Sequence, residues 1–307
     1  MGIKLYKKPK LQRPDLLVAW PGIGNVGIIA IDSLRGMLNA EELGEIEPWD
    51  FFYPRVVSIK NGELVDLEFP RNKFYFKRTA QRDLIFFIGE EQPTEGRGAY
   101  AEGGKAYQMA NLVLDVASKF GCQRVYTSGA AVAPMHHTMR SRTWAVPNKQ
   151  ELLDEVKGYE NAILMSNIEG RGEEGSITGL NGLLLGVAKR RGLEGICIMG
   201  EVPIYLQGLP VPYPKASKSV LEVLTRNLGI GIEMRGIEDM VERAERGIED
   251  LYQRFPSEVR EQLDKLKYIT YAKTTEPGPI TEDDQKRIME NIEELFRKGR
   301  KDEERPF

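Results

Sequence analysis

Short apolar runs alternate with amphipathic helical stretches along the first 230 residues of the chain. Each run is bounded by Gly, Pro or polar residues, which predicts strands covered on both faces of a sheet. The predicted central strands are Leu16–Trp20, Leu84–Ile88, Arg124–Thr127, Ala162–Met165 and Gly195–Met199. Helices are predicted at 26–39, 98–120, 149–157, 177–191 and 216–228. This alternation is typical of βα units, so the sequence predicts an α/β fold with a mostly parallel sheet.

One segment interrupts the alternation. The stretch 57–67 carries apolar residues on both sides of Asn61-Gly62. Asn-Gly supplies the two positive φ angles of a type I′ turn, so the stretch predicts a β-hairpin at or beyond the edge of the main sheet. The aromatic residues at 74–76 predict a further strand.

The composition changes near residue 231, where charged residues become denser than the chain average of 29%. Apolar residues there step by four and three, first at Ile237, Val241, Ala244, Ile248, Leu251 and Phe255, then at Val259, Leu263 and Leu266, and last at Ile288, Ile292 and Leu295. This heptad-like seam predicts a charged helical extension at 231–307, following a core domain at 1–230.

Two interpretations of the seam remain open. The extension could fold as a helical hairpin onto its own domain, or it could present the seam to a second subunit or another protein. Fewer than three heptads are too short for an isolated coiled coil. The candidate partner-binding residues are Ile237, Val241, Ile248 and Leu251.

A glycine-rich turn follows the first predicted strand and contains the pattern G-x-G-x-x-G at Gly22, Gly24 and Gly27. Dinucleotide-binding domains use this pattern, but they also need an apolar second strand that ends in an acidic residue about 20 residues later. Residues 44–49 are not such a strand. We therefore predict a tight turn without NAD, FAD or another cofactor. An unknown small ligand remains open, with Gly22, Gly24, Asn25 and Gly27 as candidate binding residues.

Polar residues follow several predicted strands. Because the carboxyl ends of parallel strands meet at one edge of a sheet, we expect this rim to gather Asn25, Glu90, Glu91, Ser128, Asn167, Glu169 and Glu201. A group of carboxylates could bind a cation or shift a pKa, although polar loop residues are also common without any such role. The catalytic candidates are Glu90, Ser128, His136 and Glu201, with Asn167 as a further ligand-binding candidate. Glu201 could instead cap a helix or a loop amide.

The histidines and cysteines do not predict a metal site. His136 and His137 are adjacent, and the cysteines Cys122 and Cys197 are remote from them and from each other. A zinc site needs three or four converging ligands. A serine hydrolase would place its serine in a G-x-S-x-G elbow, which the residues around Ser128 lack, although Ser128 and His136 are close in sequence. Two unpaired cysteines are typical of a reducing cytoplasm.

Gly179, Gly182 and Gly186 lie on one face of the helix predicted at 177–191. Each glycine costs about 1 kcal/mol relative to alanine in a helix, so close packing must compensate. That packing could be on the sheet or on a neighbouring subunit. Alternatively, a ligand could approach the helix N-terminus near Gly175.

Charge and hydropathy exclude two classes of partner. The net charge is −3 and the isoelectric point is near 5.8. These values argue against nucleic acid as the main partner. The chain has no apolar run near the roughly 20 residues that span a bilayer, so we predict a soluble cytoplasmic protein without a membrane partner.

Three sequence blocks, in their order and spacing, resemble the proteasome assembly chaperone 2 family. They are Trp20–Gly27, Gly175–Leu185 and Gly195–Glu201, the last followed by Pro203 and Tyr205. The resemblance covers about residues 14–230. It implies a three-layer α/β/α fold similar to nucleoside phosphorylases, homo-oligomers among prokaryotic members, and proteasome-related chaperoning among eukaryotic and some archaeal members.

The sequence departs from the family's best-known features at two points. Proteasome activators end in a hydrophobic residue, a tyrosine and one final residue, whereas this sequence ends in Arg305-Pro306-Phe307. Prokaryotic members are often labelled "ATP-grasp superfamily". The sequence shows neither the lysine-bearing glycine-rich hairpin nor the late Glu-x-Asn pair of such ligases.

Two functional hypotheses follow. The first is a protein-binding scaffold or assembly-chaperone-like homo-oligomer, whose partners would be itself and another protein such as a proteasome subunit. The second is a small-molecule enzyme, either a ligase, a hydrolase or a phosphorylase-like enzyme, with its site at the rim.

Overall fold

The computed structural model describes residues 2–95, 103–164 and 175–269. The strands within these residues are β1 (Ile3–Leu5), β2 (Asp15–Ala19), β3 (Glu41–Ile46), β4 (Val56–Lys60), β5 (Glu63–Glu68), β6 (Asn72–Lys77), β7 (Leu84–Gly89), β8 (Arg124–Ala133), β9 (Thr143–Pro147), β10 (Ala162–Leu164) and β11 (Glu194–Pro203). The helices are α1 (Val26–Met37), α2 (Gly103–Phe120), α3 (Leu153–Lys157), α4 (Gly179–Arg190), α5 (Pro214–Leu228), α6 (Arg235–Gln253) and α7 (Ser257–Lys265). No helix in the described ranges is both long and apolar enough to cross a bilayer.

Nine of the strands form one mixed sheet in the order β1-β3-β6-β7-β2-β8-β11-β9-β10. The four central strands, β7, β2, β8 and β11, are all parallel to one another. Strands β6, β3 and β1 continue one side with antiparallel pairings, and β9 pairs antiparallel with β11 on the other side. The α/β class is therefore confirmed, and the parallel part of the sheet is its centre.

Helices cover both faces of the sheet, which gives the three layers implied by the family resemblance. On one face, Ala30 and Leu34 of α1 pack with Val220 and Leu224 of α5. On the other face, apolar side chains of α2 and α4, such as Val113, pack on the sheet. Strand β2 is buried along its whole length because it has a layer of helices on each side.

Strands β4 and β5 form a two-stranded sheet of their own, as the Asn-Gly turn predicts. Asn61 and Gly62 both have positive φ angles, of 54° and 83°. The hairpin shares no backbone ladder with the nine-stranded sheet.

Helices α6 and α7 fold back onto the α/β core. Ile237 and Ile248 of α6 and Leu263 of α7 are buried in the same apolar cluster as α1 and α5. The described part of the seam thus packs on its own chain. Its last predicted members, Ile288, Ile292 and Leu295, lie outside the described residues.

Several predicted elements differ from the structure in place or length. The predicted central strand Ala162–Met165 is the edge strand β10, and the helix predicted at 149–157 is a 3-10 turn followed by the short helix α3. The first residues of the helix predicted at 98–120 lie outside the described ranges. Strands β1, β3 and β9 were not predicted, because they are short or carry charged residues on their exposed positions.

Candidate functional site

The glycine turn after β2 brings α1 close to the middle of the sheet. A Cβ atom on Gly27 would lie 2.3 Å from the carbonyl oxygen of Ser128 in β8, so no larger residue fits there. Gly24 has φ 58°, and a Cβ atom on it would lie 2.9 Å from Cβ of Tyr213. Gly22 faces open space. Close packing therefore accounts for two of the three glycines in the pattern.

The turn is also tied to the start of α4. The side-chain amide of Gln92 donates a hydrogen bond to the carbonyl oxygen of Pro21, at 2.7 Å. The carbonyl oxygen of the same side chain accepts one from the backbone N–H of Leu180, at 2.9 Å. Gln92 thus joins the loop after β7 to the glycine turn before α1 and to the first residues of α4. These are the two places where the sequence leaves a small ligand open. Asn25 and Gly175 are exposed, whereas Asn167 and Glu169 lie outside the described residues.

Two predicted rim residues lie inside strands. The parallel pairing of β8 with β11 continues to Ala133 and Pro203, several residues beyond the predicted strand ends. Ser128 and Glu201 are therefore in the body of the sheet, and both are buried. Glu90 and Glu91 do follow β7, and both pair with Arg55 at the base of the hairpin.

Ser128 and His136 do not form a nucleophile–base pair. Among the residues that the structure describes, the hydroxyl oxygen of Ser128 has no hydrogen-bond partner, and neither has the side-chain carbonyl oxygen of Asn181. His136 Nδ1 instead bonds to the hydroxyl of Thr138, at 2.8 Å. An activated serine needs a base within hydrogen-bond reach, and His136 does not supply it.

Glu201 joins β11 to the segment that begins β9. Its carboxylate accepts hydrogen bonds from the backbone N–H and the guanidinium group of Arg142, at 3.1–3.2 Å. It also accepts a bond from the indole N–H of Trp144, at 2.8 Å. The Glu201 side chain is 1% exposed, so its carboxylate is shielded from water, whereas the Arg142 side chain is partly exposed. Such a satisfied carboxylate fixes β9 against β11.

The two histidines lie together where the core meets the helical extension. The hydroxyl of Tyr205 accepts the backbone N–H of His137, at 2.8 Å, and bonds to His137 Nδ1 at 2.6 Å. Nε2 of the same ring lies 3.0 Å from the carboxylate of Glu249 in α6, which can only accept a hydrogen bond. The neutral ring therefore carries its hydrogen on Nε2, and Nδ1 accepts from the Tyr205 hydroxyl.

His136 stacks beside His137 and faces α7. The ring centroids of the two histidines are 4.1 Å apart, and the ring of Tyr252 meets His136 edge-on at 5.2 Å. Burial lowers the pKa of both histidines, that of His136 to about 4, because the protein interior disfavours the charged ring. Both rings are therefore neutral near pH 7.

A polar cleft of about 480 Å³ opens next to His136. Its walls include Glu249, Arg260, Asp264 and Lys267, so charges of both signs face it. Across residues 2–95, 103–164 and 175–269, no three His, Cys, Asp or Glu side chains converge so that they could hold a metal ion. The cleft thus presents a mixed polar surface beside two neutral imidazoles.

The sequence carries little local signal that connects the histidines to their partners. Tyr205 lies in a block that resembles the family, and Glu249 and Tyr252 lie next to the seam residues Ile248 and Leu251. The one signal in the sequence is that Glu249 directly follows Ile248, which α6 buries against the core.

The candidate partner-binding residues divide into two groups. Ile237 and Ile248 are buried in the core of their own domain. Leu251 is partly buried against the same cluster, and Val241 is also partly buried. In this conformation the first two side chains are not accessible to another protein.

Comparisons with known proteins place the whole fold in context. The family model described as "PAC2 family" matches residues 16–252. An uncharacterised protein of Methanocaldococcus jannaschii is 29% identical over 242 residues, which cover 78% of this chain and 84% of that protein.

Two solved structures from Pyrococcus furiosus have a similar fold. PbaB, described as an archaeal proteasome activator, is 27% identical with a TM-score of 0.66, and the match covers 81% of this chain and 98% of PbaB. PbaA, described as an archaeal homologue of proteasome-assembly chaperone, is 21% identical with a TM-score of 0.60, and the match covers 86% of this chain and 96% of PbaA. At that identity, the likeness to PbaA shows the fold alone.

Proposed function

The chain belongs to the PAC2 family, and on that premise we propose that it is an assembly-chaperone-like protein. It acts as a homo-oligomer and binds a subunit of a larger protein complex. A proteasome subunit is the first partner to test, because PbaB is described as a proteasome activator.

The observation that carries this proposal is the 27% identity to PbaB across 98% of its chain. The internal bonding of the catalytic candidates supports protein binding over catalysis. Glu201 is occupied by Arg142 and Trp144, and Glu90 by Arg55 and Arg71. Carboxylate oxygens that already accept hydrogen bonds and ion pairs within the chain are not free to take a proton from a substrate, which a general base must contact directly.

A cytoplasmic location fits the cysteines. Cys122 and Cys197 are both free and buried, and burial raises the pKa of each thiol, to about 12 and about 11. Neither thiol is therefore reactive near pH 7, as expected of structural cysteines in a reducing compartment.

The test is direct binding to the 20S proteasome of the source organism and to its separate α and β subunits. The full chain, immobilised for interferometry, should bind at least one of these species with a dissociation constant in the micromolar range or below. An unrelated acidic protein of similar size serves as the control. Absence of binding to the particle and to all its subunits would contradict the proteasome as partner.

A shortened chain ending at Ile269 maps the contact. If it binds as well as the full chain, the described residues carry the contact. If binding is lost while the melting temperature is unchanged, residues 270–307 carry it. Either result is compatible with an assembly chaperone and locates its partner surface.

A further inference from the structure

The exposed large apolar side chains of the described residues cluster in and just before the β4–β5 hairpin. Eleven large hydrophobic side chains are exposed in these residues, and eight of them lie between positions 49 and 67. Ile59 is 71% exposed and Leu64 is 68% exposed. Single exposed apolar residues are normal on a protein surface, but a cluster of this kind marks an interaction site.

The strand register shows that the apolar side chains share one face. Val57 pairs with Leu67, and Ile59 pairs with Leu64. Paired residues in an antiparallel ladder lie on the same face, and Val57 and Ile59 are two residues apart on one strand. The register shifts between Ser58 and Ile59, which leaves one extra residue in β5 and turns Leu64 to the face of Leu67. We call Val57, Ile59, Leu64 and Leu67 the hairpin face.

The opposite side of the hairpin is mostly polar. Ser58 pairs with Asp66, and its hydroxyl donates to the carbonyl oxygen of Asp66. Lys60 pairs with Glu63 on the same side, where Val56, opposite Glu68, is an apolar exception. The hairpin thus has one apolar and one mostly polar side, which is the pattern of a sheet with one side covered.

Residues 2–95, 103–164 and 175–269 leave the hairpin face uncovered. All residues of β5 are exposed, and within these ranges the hairpin is joined to the main sheet at its base, through Arg55 with Glu90 and Glu91 among other contacts. An isolated two-stranded hairpin is marginally stable in water. Its ordered apolar face therefore requires a surface that covers it.

We propose that a second copy of this chain covers the hairpin face, with the two faces packed against each other across a two-fold axis. The inference rests on the homo-oligomer of the proposed function and names its contact surface. Such a pairing puts the four apolar side chains of each copy inside and the polar sides outside, as in a small β-sandwich.

Charge supports a second copy as the occupant. The hairpin face carries no charged residue, so two copies can meet there without opposing like charges. The acidic residues Glu63, Asp66 and Glu68 do not belong to the face. A basic protein attracted by these acidic residues would bind the opposite side of the hairpin and would leave the hairpin face exposed to water.

The apolar area of the hairpin face fits a contact between two copies. Its four side chains are between 36% and 71% exposed, so they present on the order of 300 Å² per copy, at roughly 150 Å² for each aliphatic side chain when fully exposed. Apolar patches of this size are often functional, and the surrounding rim supplies the remaining area of a standard interface, which buries about 800 Å² per partner. A face that is always exposed needs a partner that is always present, and another copy of the same chain satisfies that condition.

The first test is the mass of the full chain in solution, measured by light scattering. The wild type should have a mass that is a multiple of 34.7 kDa and at least twice that value. Leu64→Glu puts a charge on the hairpin face and should reduce the mass by a factor of two or more. Lys60→Gln changes the net charge by the same one unit on the polar side and should leave the mass unchanged.

The second test is cross-linking. Ile59→Cys adds a thiol to the hairpin face, and the natural cysteines Cys122 and Cys197 are buried. A short bis-maleimide should link Ile59→Cys into covalent dimers, while the wild type and Lys60→Cys should remain unlinked. Circular dichroism and melting curves confirm that each variant is folded.

Several results would overturn the inference. A monomeric wild type would do so, and so would a Leu64→Glu variant of unchanged mass. If Leu64→Glu keeps its mass but loses binding to the proteasome subunits, the hairpin is a partner site, and the inference fails while the proposed function stands. If only the chain ending at Ile269 loses the oligomer, the self-contact lies in 270–307 and the inference again fails.

Discussion

His137 Nε2 lies 3.0 Å from Oε2 of Glu249, and this hydrogen bond joins the loop after β8 to helix α6, 112 residues further along the chain. The same loop is held from the core side by Tyr205. The histidine therefore connects the helical extension to the sheet through a neutral ring. In the neutral ring Nε2 donates to the Glu249 carboxylate, which can only accept, and Nδ1 accepts from the Tyr205 hydroxyl.

The first prediction concerns acid sensitivity. Burial, His137 and Lys267 lower the pKa of His136 from its ordinary 6.5 to about 4, against the opposite effect of Asp264 and Glu249. Between these two pH values the unfolded chain binds a proton that the folded protein does not bind. The free energy of unfolding should therefore decrease as the pH falls through this window, by at most about 1.4 kcal/mol per pH unit for this group.

Urea unfolding at several pH values between 7.5 and 4 measures this slope. His136→Gln cannot titrate and should show a smaller decrease than the wild type. Burial also lowers the pKa of His137, which therefore adds to the decrease in both proteins, and the lowered pKa values of Glu249 and Asp264 add to it equally in both near the acidic end of this range. Equal slopes for the variant and the wild type would show that His136 is not the group responsible.

The second prediction concerns Glu201. Glu201→Gln removes the buried charge that pairs with Arg142 and leaves the guanidinium group without its partner. We expect a loss of about 2–3 kcal/mol in the free energy of unfolding, slightly less than for a fully buried pair because Arg142 is partly exposed. Glu222→Gln breaks a surface ion pair with Arg140 and should cost less than about 1 kcal/mol. Similar losses for both variants would contradict a structural role for Glu201.

The centre of the fold could be predicted from the sequence because it depends on local patterns. Strands β2, β7 and β11 are apolar runs, and the helices between them show a helical repeat. The edges could not be predicted in this way. β3, with the sequence EELGEI, is stabilised by pairing with β1 and β6, and not by an apolar pattern of its own.

The bonding around Glu201 and His137 depends on tertiary structure and has little local signal. Arg142 reaches Glu201 because β9 pairs antiparallel with β11, with Thr143 opposite Gly200. The sequence identified Glu201 as a candidate, but it placed the residue in a loop, since the predicted strand ended too early. The long pairing of β8 with β11 is what buries it.

The third prediction separates two glycines of α4. A Cβ atom on Gly182 would lie 2.0 Å from the carbonyl oxygen of Ile177, so Gly182→Ala should cost about 1–3 kcal/mol. Gly186 is exposed and has open space around its Cβ position, so Gly186→Ala should stabilise the helix by about 0.5–1 kcal/mol. Melting temperatures of the two variants should therefore move in opposite directions. A shift of the same sign in both would show that the segment before α4 does not pack on Gly182.

The last prediction tests whether the seam of α6 packs on its own domain. Ile237 is fully buried in the cluster that also contains side chains of α1 and α5, whereas Val241, one turn later, is only partly buried. Ile237→Ala should lower the free energy of unfolding by about 2–5 kcal/mol, because it leaves a cavity in the core. Val241→Ala should lower it by less than about 1 kcal/mol.

Protein concentration distinguishes this packing from a seam between subunits. If Ile237 packs within one chain, the difference between Ile237→Ala and the wild type is the same at low and at high concentration, and both have the same mass in solution. If the seam joined two subunits, the variant would lose mass on light scattering, and its loss of stability would vary with concentration. That second result would return Ile237, Val241, Ile248 and Leu251 to the role of a partner-binding surface.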